Sequence, residues 1–410
     1  MTASQRMLAA LGAAIKNEQV HWTEPLSDEE WGEIFRLSAQ HHVLPLVLEA
    51  VYGCPAIQGL DPRILHAHRV RSIRTVSVQT QKTNEFLTLY RRLTDAGVKP
   101  LVVKGIVCRN LYPLPDHRIS GDEDVLIDSA DYSTAKQVME DFGMHHEGDE
   151  DAYEVPFFKA GSALHIELHK NLFPPESSAY GSLNNFFENA RDRAVTLTIN
   201  GRAVSTLGYT DHLLYLICHA FKHFLHSGFG VRQICDVSMF ANTYGKEIHW
   251  EEVLEKCRAI RAQYFAAAML KIGSQYFGFD PDTACLPPSW RQLDADGEAL
   301  LADALDSGVF GHTSGSRIHS STITLNAVTA EKDGKKASGS LMKTIFPPMA
   351  QMTAKFPYLK EKPWLLPVAW TARILRYGKE TASSDHSDAA ESIRIGKERV
   401  ELLRKFRILD

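Results

Sequence analysis

The feature that most constrains this chain is a change of periodicity at Lys99-Pro100. Before it, apolar residues recur with a helical period. After it come short buried runs separated by a few helical turns. Leu101-Val102-Val103 reads as a buried strand, Ile106 to Leu111 as a short helix, Val125-Leu126-Ile127 as a second strand and Asp131 to Phe142 as a helix closed by Gly143. Strands follow around Tyr153–Phe158 and over Leu164–His169. The last alternates strictly, with Leu164, Ile166 and Leu168 on one face and His165, Glu167 and His169 on the other. A chain that switches like this builds an α+β fold, a mixed sheet with helices embedded between N- and C-terminal helical regions.

The flanking regions carry their own punctuation. Ser27-Asp28-Glu29-Glu30 is a capping box ahead of Trp31, Ile34, Phe35, Leu37 and Ser38. Asp61-Pro62 opens a helix that runs through Phe86, Leu89 and Leu93 to a C′ glycine at Gly97. Helices are expected again over about 211–226, 231–243, 249–260 and 262–277, and prolines at 347–348, 357, 363 and 367 cut the tail into short ones. The Ser-, Thr-, Gly- and Lys-rich stretch 310–340 reads as a long loop or mobile lid. The expected division is a helical region 1–97, a sheet-bearing domain 98–205, a helical domain 206–290 completing its cleft, and a helical region 291–410.

Composition narrows the function classes. The 410 residues carry a formal charge of −5, so contact with nucleic acid has to be local. Six scattered cysteines with no CxxC pair argue against a disulfide framework or structural zinc and fit a reducing compartment. No run of about 18 apolar residues is long enough to span a membrane, and the N-terminus lacks a signal-peptide pattern, so a cytoplasmic location is expected.

Chemistry concentrates in the middle. In Gly121-Asp122-Glu123-Asp124-Val125, two carboxylates two apart fall on one face of a strand, a site for a hard divalent cation such as Mg²⁺. Glu167 on a neighbouring strand supplies a third. Three carboxylates can hold two cations about 4 Å apart, which serves in-line phosphoryl displacement. His165 and His169 are an alternative pair for a transition metal. Val103-Lys104-Gly105, a strand, a glycine turn and a helix start, suits phosphate, although the lysine could instead pair with Asp122 or Asp124. Farther on, His212, His219, His223 and His226 share one helical face, followed by Arg232 and Asp236.

Together these residues resemble the bacterial uncharacterised nucleotidyltransferase family of the DNA polymerase β-like superfamily. The motifs are Lys104-Gly105, Leu111-Tyr112-Pro113, Arg118, Asp122-Glu123-Asp124-Val125-Leu126, Glu167-Leu168-His169, Asp211-His212-Leu213-Leu214, His219, Arg232 and Asp236. The resemblance covers about 30–280 and departs at Glu123, where that family usually has an aliphatic residue. It implies a polymerase β-like nucleotidyltransferase fold and transfer of a nucleotidyl group from an NTP to an acceptor, with Mg²⁺ or Mn²⁺ held by Asp122, Asp124 and Glu167. It gives Glu167 a part in activating the acceptor hydroxyl. It puts Lys104, Gly105 and Arg118 on the triphosphate, and Gly121, His169, His219, Arg232 and Asp236 beside the nucleotide. The acceptor, a small molecule, peptide or protein, stays open. So do two other classes: a catalytically degenerate nucleotide- or partner-binding protein of the same fold, and a toxin-type RNA-directed transferase. The last would use the basic cluster Arg63, His66, His68, Arg69, Arg71 and Arg74, which reads more simply as a solvated helix face.

Overall fold

The capping residues and prolines fix where the first helices begin. In the computed structural model, Thr2 and Gln5 form a capping box at α1 (Ala3–Ile15), and Ser27 and Glu30 form the expected one at α2 (Asp28–Gln40). The structure describes residues 1–226, 228–307, 315–332, 349–353, 356–372 and 389–410. After α3 (Leu44–Val51), Asp61 caps α4 (Pro62–Asp95), a helix of 34 residues and so roughly 50 Å long. Gly97, at φ +87°, closes it. Its two ends serve two cores. Ile64 and Leu65 lie on the large helical core, whereas Phe86, Leu89 and Leu93 cover the sheet.

The sheet order is β1–β2–β5–β4–β3, with β1 (Leu101–Val102), β2 (Glu123–Leu126), β3 (Met144–His146), β4 (Glu154–Lys159) and β5 (His165–His169). Only β2 and β5 run parallel, and they are neighbours. The helices α5 (Ile106–Arg109) and α6 (Tyr132–Asp141) make the crossings near β2. A hairpin of β6 (Val195–Ile199) and β7 (Arg202–Thr206) follows, turning at Asn200 and Gly201. Helices α7 (Tyr209–His226), α8 (Val231–Tyr244), α9 (Trp250–Ala259) and α10 (Gln263–Tyr276) then form the helical core, with α11 (Pro288–Arg291) and α12 (Gly297–Ser307) on its flank.

The expectation of a loop over 310–340 is corrected in its middle: Gly315–Lys332 is a helix, α13. Residues 310–314 and 333–340 lie outside the described residues. The polar composition misleads because the hydroxyls are inside. Ser320 and Thr324 are fully buried with Ile323, Ala327 and Val328 at helical spacing. Ser320 Oγ donates to Arg317 O at 2.7 Å, and Thr324 Oγ1 donates to Leu225 O at 2.8 Å. Arg317 and Arg399, the latter on the C-terminal helix Ala389–Lys405, both pair with Asp303. Of the tail prolines, Pro357 and Pro363 open short 3₁₀ turns. Five cysteines are buried and Cys285 is exposed, none in a disulfide. Among the described residues no helix is long and apolar enough to cross a membrane.

Candidate active site

The parallel pairing of β2 and β5 puts Asp124 opposite Glu167 in register. One ligand atom from each of Asp124, Glu167 and His169 lies within 4.8 Å of the others. Asp122 sits just ahead of β2 rather than on it, so the expected strand is one residue short. Both aspartates still converge on Lys104, whose Nζ is 3.0 Å from Asp124 Oδ2 and 3.9 Å from Asp122 Oδ1. His169 Nε2 stands 3.5 Å from Asp124 Oδ1 and 3.7 Å from Glu167 Oε2. His165 stays apart from this group and stacks on Phe158 at 4.4 Å.

The electrostatics follow from burial and crowding. Burial pushes the Glu167 carboxyl up, Asp124 and Asp122 push it further despite the nearby His169, and it reaches about 7. Burial works against the charged form of Asp124 too, but Lys104 and His169 overcome it and hold that carboxyl well below its usual range. His169 is raised to about 9: Asp124 and Glu167 outweigh the cost of burying its charge. The same carboxylates outweigh burial at Lys104 and raise it. The donor set fits a hard divalent cation. Carboxylate oxygens of Asp124 and Glu167 converge with the His169 imidazole.

Opposite the carboxylates, α7 and α8 form the other wall of a cleft of about 400 Å³. Lys104, Arg118, Gly121, Asp122, Glu167, His219, Arg232 and Asp236 line it. Asp124 and His169 are buried behind them. Arg118 is fixed by Asp236, with Nε 3.0 Å from Oδ1 and Nη2 on Oδ2, and Tyr112 Oη donates to the same carboxylate at 2.9 Å. Arg232 donates to Ile119 O. His219 Nε2 is 3.3 Å from Lys104 Nζ. Burial and the nearby Lys104 hold His219 well below its usual value, and burial with Lys222 takes His223 down to about 3. His212 is elsewhere, fully buried with Nδ1 3.0 Å from Thr206 Oγ1. The cleft also takes His42, Tyr153, Glu154, Tyr180, Lys222 and Gln233, which the motifs do not single out. Lys222 was accessible from the sequence, because it falls three residues after His219 on the same helical face.

The expectation that Gly105 opens a helix N-terminus to phosphate is corrected. Glu123 Oε2 accepts from Ile106 N at 2.7 Å and so caps α5 itself. Gly105 has φ +49°, and a Cβ there would lie 2.0 Å from Glu123 Oε2. The glycine therefore makes room for a carboxylate of the chain, not for a ligand. Glu123, the departure from the family pattern, is fully buried and bonded to Arg109 Nη1 at 2.6 Å. Lys82 of α4 stands 3.8 Å from it and donates to Ser120 O at 3.1 Å and Gly121 O at 2.8 Å, tying the long helix to the aspartate loop. In the basic cluster of α4, Arg63, His66, Arg69, Arg71 and Arg74 are exposed. Arg69 stacks over Tyr52 at 4.6 Å.

An antigenic nucleotidyltransferase-like protein from Paracoccidioides brasiliensis shares 15% identity over 48% of this chain and 96% of its own, with a TM-score of 0.31. No curated protein matches the chain. Residues 27–278, more than half of the chain and all of the cleft's motifs, match one family throughout. The chain belongs to the uncharacterised nucleotidyltransferase family.

Proposed function

We propose that this chain transfers a nucleotidyl group from an NTP to an acceptor hydroxyl or similar nucleophile in a reaction that needs a divalent cation. The observation that carries this reading is the register pair Asp124–Glu167, two carboxylates from parallel neighbouring strands at the floor of a polar cleft. Asp122, Asp124 and Glu167 would hold Mg²⁺ or Mn²⁺, with His169 orienting the last two. Bound there, the cation would neutralise phosphate charge as pyrophosphate leaves. In the transfer the acceptor oxygen bonds to the α-phosphorus and the bond to pyrophosphate breaks. Glu167 would take the acceptor's proton as the new bond forms. Lys104 holds Asp122 and Asp124 in place.

One observation favours a second reading. The Lys104 ammonium, 3.0 Å from Asp124, already compensates that carboxylate, as in a degenerate protein that binds nucleotide without catalysis. Titration calorimetry with Mg²⁺ and a non-hydrolysable NTP separates the two. Transfer chemistry predicts that each ligand tightens the other and that Asp122→Asn with Asp124→Asn abolishes the coupling. Unchanged NTP affinity in that double variant, with no dependence on Mg²⁺, refutes the catalytic reading.

A further inference from the structure

The cations of the cleft divide into those with partners and those without. Lys104 is occupied by Asp124 and Asp122. Arg118, 2% exposed, gives Nε and Nη2 to Asp236, while its Nη1 is buried with no hydrogen-bond partner. Arg232 gives Nη1 to Ile119 O, and its Nε is buried and also without one. Lys222 lines the cleft with neither a hydrogen bond nor an ion pair among the described residues. Burial lowers its pKa against the pull of Glu154, Glu167 and Asp124, none of which reaches it as an ion pair.

All three groups line the same cleft, Lys222 from the last turns of α7, Arg232 from the first turn of α8 and Arg118 from the loop ahead of β2. Gly228, Phe229 and Gly230 line the cleft between the two helices, with Gly228 at φ +107°. The first turn of α8 carries no acidic residue. Its N-cap, Gly230, lines the cleft, so the positive end of this 14-residue helix lies there with Arg232 beside it. Asp236 is the wall's carboxylate, and Arg118 and Tyr112 already occupy it. Such a collection of desolvated donors lacks an anion.

We propose that this α7–α8 wall, with Lys222 as its principal ligand, binds the phosphate chain of the nucleotide. Lys222, Arg232 and Arg118 Nη1 supply the donors and the α8 N-terminus supplies the field. This rests on the NTP reading above and moves the phosphates away from the β1–α5 turn, whose helix end Glu123 has capped. It also explains the polarity of the cleft. A polyphosphate can face cations on one side and reach the carboxylate side, where Asp122 and Glu167 wait, on the other.

The test is calorimetric binding of inorganic tripolyphosphate to the full chain in EDTA, where no cation can bridge. The wild-type protein binds it. Lys222→Met and Arg232→Met each weaken it by at least about tenfold, the scale of one charge-assisted hydrogen bond. Lys222→Arg restores binding. Lys246→Met, exposed at the far end of α8, leaves it unchanged. Lys222 has no partner to abandon, so its variant keeps the wild-type melting temperature, which separates lost binding from lost folding. Tripolyphosphate affinity unaltered in Lys222→Met, or no binding by wild type, overturns the proposal. Mn²⁺ binding to the carboxylates, followed by electron paramagnetic resonance, reports on the transfer reading alone. Mn²⁺ bound without tripolyphosphate sinks only the phosphate wall, and tripolyphosphate bound without Mn²⁺ sinks only the metal-dependent transfer.

Discussion

Replacing Glu123 by leucine restores the aliphatic residue usual in the family, yet it should harm this chain. The side chain is fully buried, accepts from Arg109 Nη1 at 2.6 Å and from Ile106 N at 2.7 Å, and stands 3.8 Å from Lys82. Arg109 and Lys82 are themselves 1% and 3% exposed. Glu123→Leu leaves both cations without their shared carboxylate and uncaps α5. Breaking a buried pair from one side costs about 3–5 kcal/mol, because the remaining charge cannot regain water. For a cooperative unit of 150–250 residues, that is a fall in melting temperature of roughly 6–20 °C. Scanning calorimetry on Glu123→Leu, Arg109→Leu and the double variant closes the cycle. The double variant should regain at least half of the loss, since only Lys82, held by the Ser120 and Gly121 carbonyls, keeps its charge. If Glu123→Leu melts within about 2 °C of wild type, or the two losses simply add, the buried pair does not hold this part of the fold.

Gly105→Ala should destabilise through the same contact. Strain at a φ of +49° costs about 1–3 kcal/mol, and the methyl displaces a carboxylate 2.0 Å away. In the Glu123→Leu background only the strain should remain, so a full-sized loss there, read by chemical denaturation, refutes the steric argument. Acid should weaken the fold through His41 and His212, which burial lowers from 6.5 to about 4 and about 3. The unfolded chain takes up protons below 6.5 that the native state refuses, so stability rises with pH across that window and is lost as pH falls through it. The slope approaches about 1.4 kcal/mol per pH unit for each histidine. A urea midpoint that is equal at about pH 7 and about pH 5 contradicts this.

The parts of the fold legible in the sequence are those set by neighbours along the chain. Ser27 and Glu30 are three apart, Asp61 adjoins Pro62, and Leu164–His169 alternates with an apolar face, so each reads locally and each forms as expected. The hairpin β6–β7 is missing from the expectations although Asn200-Gly201, both at positive φ, is a strong turn signal. Its strands are five residues each, too short for periodicity to speak loudly. In α13 composition outweighs period, because Ser320 and Thr324 look like loop residues until their hydroxyls are seen turned onto helix carbonyls. For the candidate site, residue types on β2 and β5 give the carboxylates. The partner of Glu123 is invisible, because Lys82 and Arg109 reach it from positions 41 and 14 residues away.

The cleft's charge distribution shows why the overall charge of −5 is a poor guide to its ligand. On the sheet side Asp122, Asp124, Glu154 and Glu167 face Lys104 and a His169 raised to about 9, which leaves an excess of negative charge. Of the residues lining the cleft, α7 and α8 contribute Lys222 and Arg232 but one carboxylate, Asp236, which Arg118 already neutralises, and this leaves an excess of positive charge there. A ligand of either single sign is repelled by one wall at a separation where little water screens it. A polyphosphate carrying a divalent cation presents both signs at once, and the two walls then contribute by separate routes. Removing carboxylates should weaken the nucleotide only when the cation is present, whereas removing Lys222 should weaken it in EDTA as well. Were both variants to lose nucleotide only in the presence of Mg²⁺, the phosphates would be held through the cation, and the cationic wall would need another anion to explain it.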